Sequence, residues 1–157
     1  MLTFEATDDA LLRVMLACDA YRNHWAKFRA MPYAPTFDGA IDDIRALDYL
    51  AYELDYPRGD IEDPALVWGN VLARQLGFRW ACSFRGDLLL VQGEPKEYAM
   101  RAAIWPFARL LEADAGGIPT HETFGWMTRQ VVASCLANNP EPRFEAQLRR
   151  LGDEFGP

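Results

Sequence analysis

Apolar residues at steps of three and four, in segments bounded by proline and glycine, constrain this chain most. Such steps place side chains on one side of an α-helix, so each segment predicts an amphipathic helix. The first helix is predicted to follow Thr7, whose hydroxyl can cap it, and to end before Pro32. Its apolar positions are Leu11, Val14, Met15, Cys18, Tyr21, Trp25 and Phe28.

Further helices are predicted along the rest of the chain. The second is capped by Thr36 and carries an apolar stripe. The third begins at Asp63 and Pro64, an N-cap followed by proline in the first helical position, and stops at Gly77. The second stripe is Phe37, Ile41, Ile44, Leu47, Ala51 and Leu54; later helices cover 107–114, 119–137 and a segment with Phe144, Leu148, Leu151 and Phe155.

The apolar periodicity changes after the third helix. Aromatic residues alternate through 78–84, a glycine-containing turn follows at 85–87, and an apolar run follows at 88–91. This pattern is typical of a β-hairpin. Residues 98–105 suit either a strand or a helix start, and a strand is preferred because Pro106 is well placed to begin the next helix. We therefore expect an α+β fold of about six helices around a small antiparallel β-hairpin or three-stranded sheet.

Size and composition predict one globular domain over residues 1–157. The chain is half apolar, and no apolar run approaches the roughly 20 residues of a membrane span. The first residues lack a basic segment ahead of a hydrophobic one, so we expect no secretory signal. An odd number of cysteines, Cys18, Cys82 and Cys135, is typical of reduced thiols in the cytoplasm.

The negative charge is concentrated in one segment. Residues 38–63 hold nine acids and two bases, so the net charge of this segment is −7 and equals that of the whole chain. Acidic surfaces repel nucleic acids and anionic membranes, so we expect neither as a partner. A basic protein is the natural complement, although acidic helices also serve simply for solubility.

The sequence offers no strong catalytic or metal motif. His24 and His121 have no cysteine or histidine partners at zinc-site spacing, and no Gly-rich phosphate loop occurs. A Cys–His pair formed with His24, or a carboxylate pair between Asp38 and Asp42, stays open. We expect no enzyme activity, no cofactor and no metal.

Residues 64–112 contain a helix ending G-x-x-L-x-x-x-x-G-x-x-W, a short sheet and then P-F, here Gly69 to Trp80 and Pro106-Phe107. In this pattern they resemble a loose group of small, mostly uncharacterised bacterial α+β domains. The chain departs from the pattern of the group at Asn70, where an acid is common. Arg109 and Leu110 also lie one step out of the usual Lys-Arg register of that pattern. Gly69 is expected to admit another backbone, and Trp80 to organise the core. Some members look like immunity proteins encoded beside interbacterial toxins.

These observations predict a non-catalytic protein-binding module, an immunity protein that binds and occludes a basic toxin. The acidic segment would form the interface, with tyrosines as anchors. The candidate residues are Asp38, Asp42, Asp43, Asp48, Tyr49, Tyr52, Glu53 and Tyr56.

Two other functions remain open from the sequence. One is an enzyme or ligand-binding domain with a pocket between the helices and the hairpin, lined by His24, Arg79, Arg101 and Trp105. The other is a subunit that forms homo-oligomers through exposed apolar helix faces.

Overall fold

The computed structural model describes residues 3–27, 35–53, 62–92, 102–116, 122–138, 140 and 142–155. Six helices lie in these ranges: α1 (Asp8–Trp25), α2 (Asp42–Glu53), α3 (Glu62–Leu76), α4 (Pro106–Ala115), α5 (Thr123–Ala137) and α6 (Pro142–Phe155). The strands are β1 (Phe4–Glu5), β2 (Arg79–Cys82), β3 (Leu88–Gln92) and β4 (Ala102–Ile104). The predicted α+β fold is confirmed.

The strands form one antiparallel sheet in the order β1-β2-β3-β4. The predicted hairpin is confirmed, with Trp80 opposite Leu90 and a turn between Cys82 and Leu88. Within the turn, the hydroxyl of Ser83 accepts hydrogen bonds from the backbone N–H groups of Arg85 and Asp87. The predicted third strand is present over 102–104, whereas 98–101 lie outside the described residues.

Helix α3 supplies much of the core. Its Trp68 is fully buried, and the indole N–H donates a 3.0 Å hydrogen bond to the hydroxyl of Thr128 on α5. That hydroxyl in turn donates to the carbonyl of Phe124, so both polar groups are satisfied in the interior. The predicted stop at Gly77 is confirmed, because this residue adopts a φ of 68° that favours glycine.

The N-terminal cap of α1 is confirmed, but its predicted apolar stripe is partly wrong. The hydroxyl of Thr7 accepts a 3.2 Å hydrogen bond from the N–H of Ala10. The face turned to the core is instead formed by Ala10, Val14, Ala17, Cys18 and Tyr21, while Leu11 and Met15 are exposed. Phe28 lies outside the described residues, as does the predicted stop at Pro32.

Helix α2 begins five residues later than predicted, at Asp42 rather than at Phe37 directly after the predicted cap Thr36. The side chain of Asp43 explains the difference. Its carboxylate accepts backbone hydrogen bonds from Thr36, Phe37, Gly39 and Ala40 at 2.9–3.2 Å, which holds these residues in a non-helical loop. Phe37 is buried as its apolar character predicts, but it lies in this loop with a φ of 52°.

The bounds of three other helices shift slightly. Helix α3 begins at Glu62, so Pro64 lies in its first turn rather than at its first position. Helix α4 begins at Pro106, as the sequence indicated, and ends at Ala115. Helix α5 begins at Thr123 rather than at 119, and residues 117–121 lie outside the described ranges.

Candidate protein-binding surface

Only some of the acidic residues predicted to form the interface lie at the surface of the protein. Asp43 was expected on an exposed face, but its exposed fraction is 0% and its carboxylate is occupied by backbone N–H groups. Burial raises the pKa of Asp43, and the hydrogen bonds from Phe37, Gly39 and Ala40 oppose that rise. Asp43 is therefore not available to a partner.

Asp48 binds the start of another helix. Its two carboxylate oxygens accept the N–H groups of Phe124 at 2.7 Å and Gly125 at 2.9 Å. Glu122, at the cap position of α5, makes no side-chain cap, so α2 supplies the cap in its place. Burial raises the pKa of Asp48 to about 7, against the lowering effect of these hydrogen bonds. This carboxylate holds α5 to α2.

The next two candidates remain at the surface but have partners within the chain. Asp42 forms a 2.8 Å ion pair with Arg45, which also binds Glu154 of α6 at 2.7 Å. Asp38 is exposed and accepts a hydrogen bond from the hydroxyl of Thr36. Among the predicted acidic contacts whose side chains the structure describes, these two keep an accessible carboxylate.

Of the three tyrosines predicted as anchors, the structure describes the side chain of one. Tyr49 is half-buried, and its ring packs edge-on against Trp25 at 5.8 Å between ring centres. The backbones of Tyr52 and Glu53 belong to α2, but their side chains lie outside the described part of the structure, as does all of Tyr56.

Two clefts meet beside the hairpin turn. The first has a volume of about 380 Å³ and lies between α3, the turn and the start of α4. The second has a volume of about 490 Å³ and lies between β1, α1 and the turn. Arg13 and Gly86 line both, and we call the pair the double cleft. Its aromatic residues are Phe4, Phe84, Trp105 and Phe107, and its charged residues are Glu5, Asp9, Arg13, Glu62 and Asp87.

Three phenyl rings of the double cleft are exposed to solvent. Phe84, in the turn, is 77% exposed, and Phe107 and Phe4 are 47% and 46% exposed. The guanidinium of Arg85 lies 5.4 Å from the centre of the Phe84 ring. Clustered exposed aromatic side chains are typical of interaction surfaces, because burying them against a partner is favourable.

The double cleft is also acidic. Among the described residues, four carboxylates and one guanidinium line it, and that guanidinium, of Arg13, is ion-paired with Glu62. These described residues contribute a net of three negative charges. Glu62 alone belongs to the acidic segment of the sequence, so the remaining carboxylates come from elsewhere in the chain.

A cleft does lie between the helices and the hairpin turn, but most of the residues predicted to line a pocket there are not in it. Trp105 lines the first cleft. His24 and Arg79 are exposed and line neither cleft, and Arg101 lies outside the described residues. Sequence reasoning also missed Phe84 and Phe107. It assigned Phe84 to a strand and Phe107 to a helix without predicting which side of either element faces solvent. An aromatic residue beside a turn was the available signal for Phe84.

The remaining candidate chemistries concern metal ligands and thiols in the described ranges. No group of three or more His, Cys, Asp or Glu there could hold a metal ion. Cys18, Cys82 and Cys135 are buried free thiols, and burial raises the pKa of Cys18 to about 11. None of the described helices combines the length and apolar character needed to cross a bilayer. Comparisons with family models, curated proteins and solved structures found no match.

Proposed function

We propose that this chain is a non-catalytic protein-binding module whose double cleft receives a basic, partly apolar segment of another protein. The exposure of Phe107 in the first cleft and of Phe4 and Phe84 in the adjoining second cleft is the observation that carries the proposal. Aromatic side chains supply much of the binding energy at protein interfaces, and a depression provides the fit that such anchors need.

The charge of the lining supports a basic partner. The carboxylates of Glu5, Asp9 and Asp87 line the same clefts as the aromatic rings, so Lys or Arg side chains of a partner would meet opposite charge. Complementary charge speeds encounter and selects among partners. The net charge of −7 adds a longer-range field of the same sign, which also disfavours nucleic acid and anionic membranes.

The class of partner follows from the resemblance of residues 64–112. Because some domains of that loose group look like immunity proteins, we infer that the partner is a basic bacterial toxin, occluded in the cytoplasm. Three buried free thiols are compatible with a reducing compartment.

Affinity capture of the tagged chain from its native cells tests this function. The variant Phe84→Ser/Phe107→Ser removes two anchors of the double cleft. Met15→Ser is the matched control, since Met15 is exposed but lines neither cleft. We expect a basic protein to be captured by wild type and by the control, with at least a tenfold loss in the double variant. Equal recovery by all three would reject the double cleft as the interface.

A second function is favoured by the first cleft alone. Its volume of about 380 Å³ lies within the range of small-molecule sites, and Trp105 and Arg13 offer an aromatic and a charged contact. A ligand screen by thermal unfolding tests it: a stabilising compound whose effect is lost in Trp105→Ala would favour a ligand-binding domain.

A further inference from the structure

The first cleft of the double cleft is mainly apolar. Leu66, Leu88, Trp105, Pro106 and Phe107 are among the residues that line it. The ring of Phe107 is 47% exposed and Trp105 is half-buried, so both offer surface that a partner can cover. An apolar side chain gains free energy by leaving water for such a depression. The lining of the first cleft therefore suits an apolar side chain.

The charges of the first cleft are largely engaged with each other. Arg13 and Glu62 form an ion pair, so the remaining charge among the described lining residues is the carboxylate of Asp87. Arg13 also lines the second cleft, but the same ion pair engages its guanidinium. This guanidinium is therefore a weak competitor for the carboxylates of the second cleft.

The second cleft contains carboxylates without partners. Glu5 on β1 and Asp9 on α1 line it, and both are exposed. In the part of the chain that the structure describes, neither side chain forms an ion pair or a hydrogen bond. Two negative charges in a depression attract a cationic side chain, because opposite charges pair across an interface.

The phenyl rings of the second cleft favour a guanidinium over an ammonium group. Phe4 and Phe84 line this cleft and are 46% and 77% exposed. A guanidinium is planar and weakly hydrated, so it can stack on a ring and also donate two hydrogen bonds to one carboxylate. The guanidinium of Arg85 already lies 5.4 Å from the centre of the Phe84 ring. This contact shows that the ring is open to a guanidinium.

We propose that the double cleft recognises an apolar side chain and an arginine side chain that lie close together in one partner segment. The first cleft takes the apolar side chain and the second cleft takes the arginine. This inference rests on the proposed function and names the chemistry of the segment that the double cleft receives.

The junction of the two clefts suits a segment that occupies both. Gly86 lines both clefts and has a φ of 83°, a conformation that favours glycine. A Cβ at this position would meet no atom within 4 Å, so the space beside the backbone is open. One extended segment can therefore pass from the first cleft to the second over this glycine.

Small probes test the assignment without any partner. Acetyl-arginine methylamide, acetyl-citrulline methylamide and acetyl-leucine methylamide are titrated separately into the isotope-labelled full chain, and the chemical shifts of backbone amides are followed. We expect the arginine probe to shift residues 4–10 and the leucine probe to shift residues 105–108. Citrulline has the shape of arginine without its charge, so it should bind the second cleft about fivefold more weakly.

Three results of this titration would overturn the proposal. The first is equal binding of the arginine and citrulline probes at the second cleft. The second is a set of arginine-induced shifts confined to the first cleft. The third is the absence of shifts at residues 4–10 up to about 50 mM of the arginine probe.

Variants separate a local contact from the long-range field of the protein. Glu5→Gln/Asp9→Asn should weaken binding of the arginine probe about fivefold and leave the leucine probe unchanged. Glu145→Gln/Asp153→Asn is the control, because it makes the same change in net charge on α6, whose described residues line neither cleft. Equal weakening in both variants would overturn the proposal. Circular dichroism of each variant confirms that it is folded.

Failure of this inference and failure of the proposed function give different results. Probes that shift the wrong cleft would overturn the division between the apolar and arginine sites, even where capture of a partner depends on Phe84 and Phe107. Equal capture by wild type and by Phe84→Ser/Phe107→Ser would reject the double cleft as the interface, whatever the probes bind.

Discussion

At the residue scale, two carboxylates of the acidic segment act on the backbone rather than on a partner. Asp43 binds the N–H groups of the loop before α2, and Asp48 binds those at the start of α5. Hydrogen bonds to a charged acceptor are stronger than neutral ones, and leaving a buried donor without a partner is costly. The local cluster of acids in the sequence therefore combines structural carboxylates with surface ones.

We expect Asp43→Ala to lower the free energy of unfolding by about 2–4 kcal/mol, because four backbone N–H groups lose their acceptor. Asp42→Ala is the control, since it removes a half-exposed ion pair and should cost less than about 1 kcal/mol. Chemical denaturation measures both. Equal small losses would show that the loop does not depend on this carboxylate.

Stability should depend on pH through Asp48. Its folded pKa of about 7 lies above the ordinary value of 3.8, so the folded state binds this proton more tightly than the unfolded chain does. Wild type therefore gains stability relative to Asp48→Asn as pH falls from about 8 to about 4, by at most about 4 kcal/mol. Asp43 and the other acids are common to both proteins and cancel in the difference. A difference that is flat with pH would contradict the raised pKa.

At the element scale, the contact between α3 and the sheet depends on a missing side chain. Gly69 was expected to admit another backbone, but it admits the indole ring of Trp80. A Cβ at position 69 would lie 2.5 Å from Cη2 of Trp80 and 3.0 Å from Cγ of Pro106. The glycine thus lets α3, β2 and the start of α4 meet, and this meeting positions Trp105 and Phe107 at the double cleft.

We expect Gly69→Ala to destabilise the chain by about 1–3 kcal/mol through overpacking. Trp80→Phe removes the ring atom that clashes, so the double variant should lose less than the sum of the two single losses. Thermal or chemical unfolding of the four proteins completes the cycle. Additive losses would show that the ring and the glycine do not compete for one space.

At the scale of the whole molecule, patterns among neighbouring residues predicted most of the fold but little of the double cleft. The Thr7 cap, the stop at Gly77 and the helix start at Pro106 depend on neighbouring residues, and the sequence predicted them. The double cleft joins residues near 4–13, 62–66, 83–88 and 105–108, which periodicity cannot bring together. The hydrogen bond between Asp48 and Phe124 spans 76 positions, so acid spacing could not reveal it.

The footprint of the captured partner distinguishes the double cleft from the acidic segment as the interface. Hydrogen exchange of backbone amides is compared between the free chain and the complex. We predict protection at 83–88 and 105–108, around Phe84 and Phe107, with 42–48 unchanged because none of those residues lines the double cleft. Protection confined to residues 36–53, with the double cleft unchanged, would contradict the account and return the interface to the acidic segment.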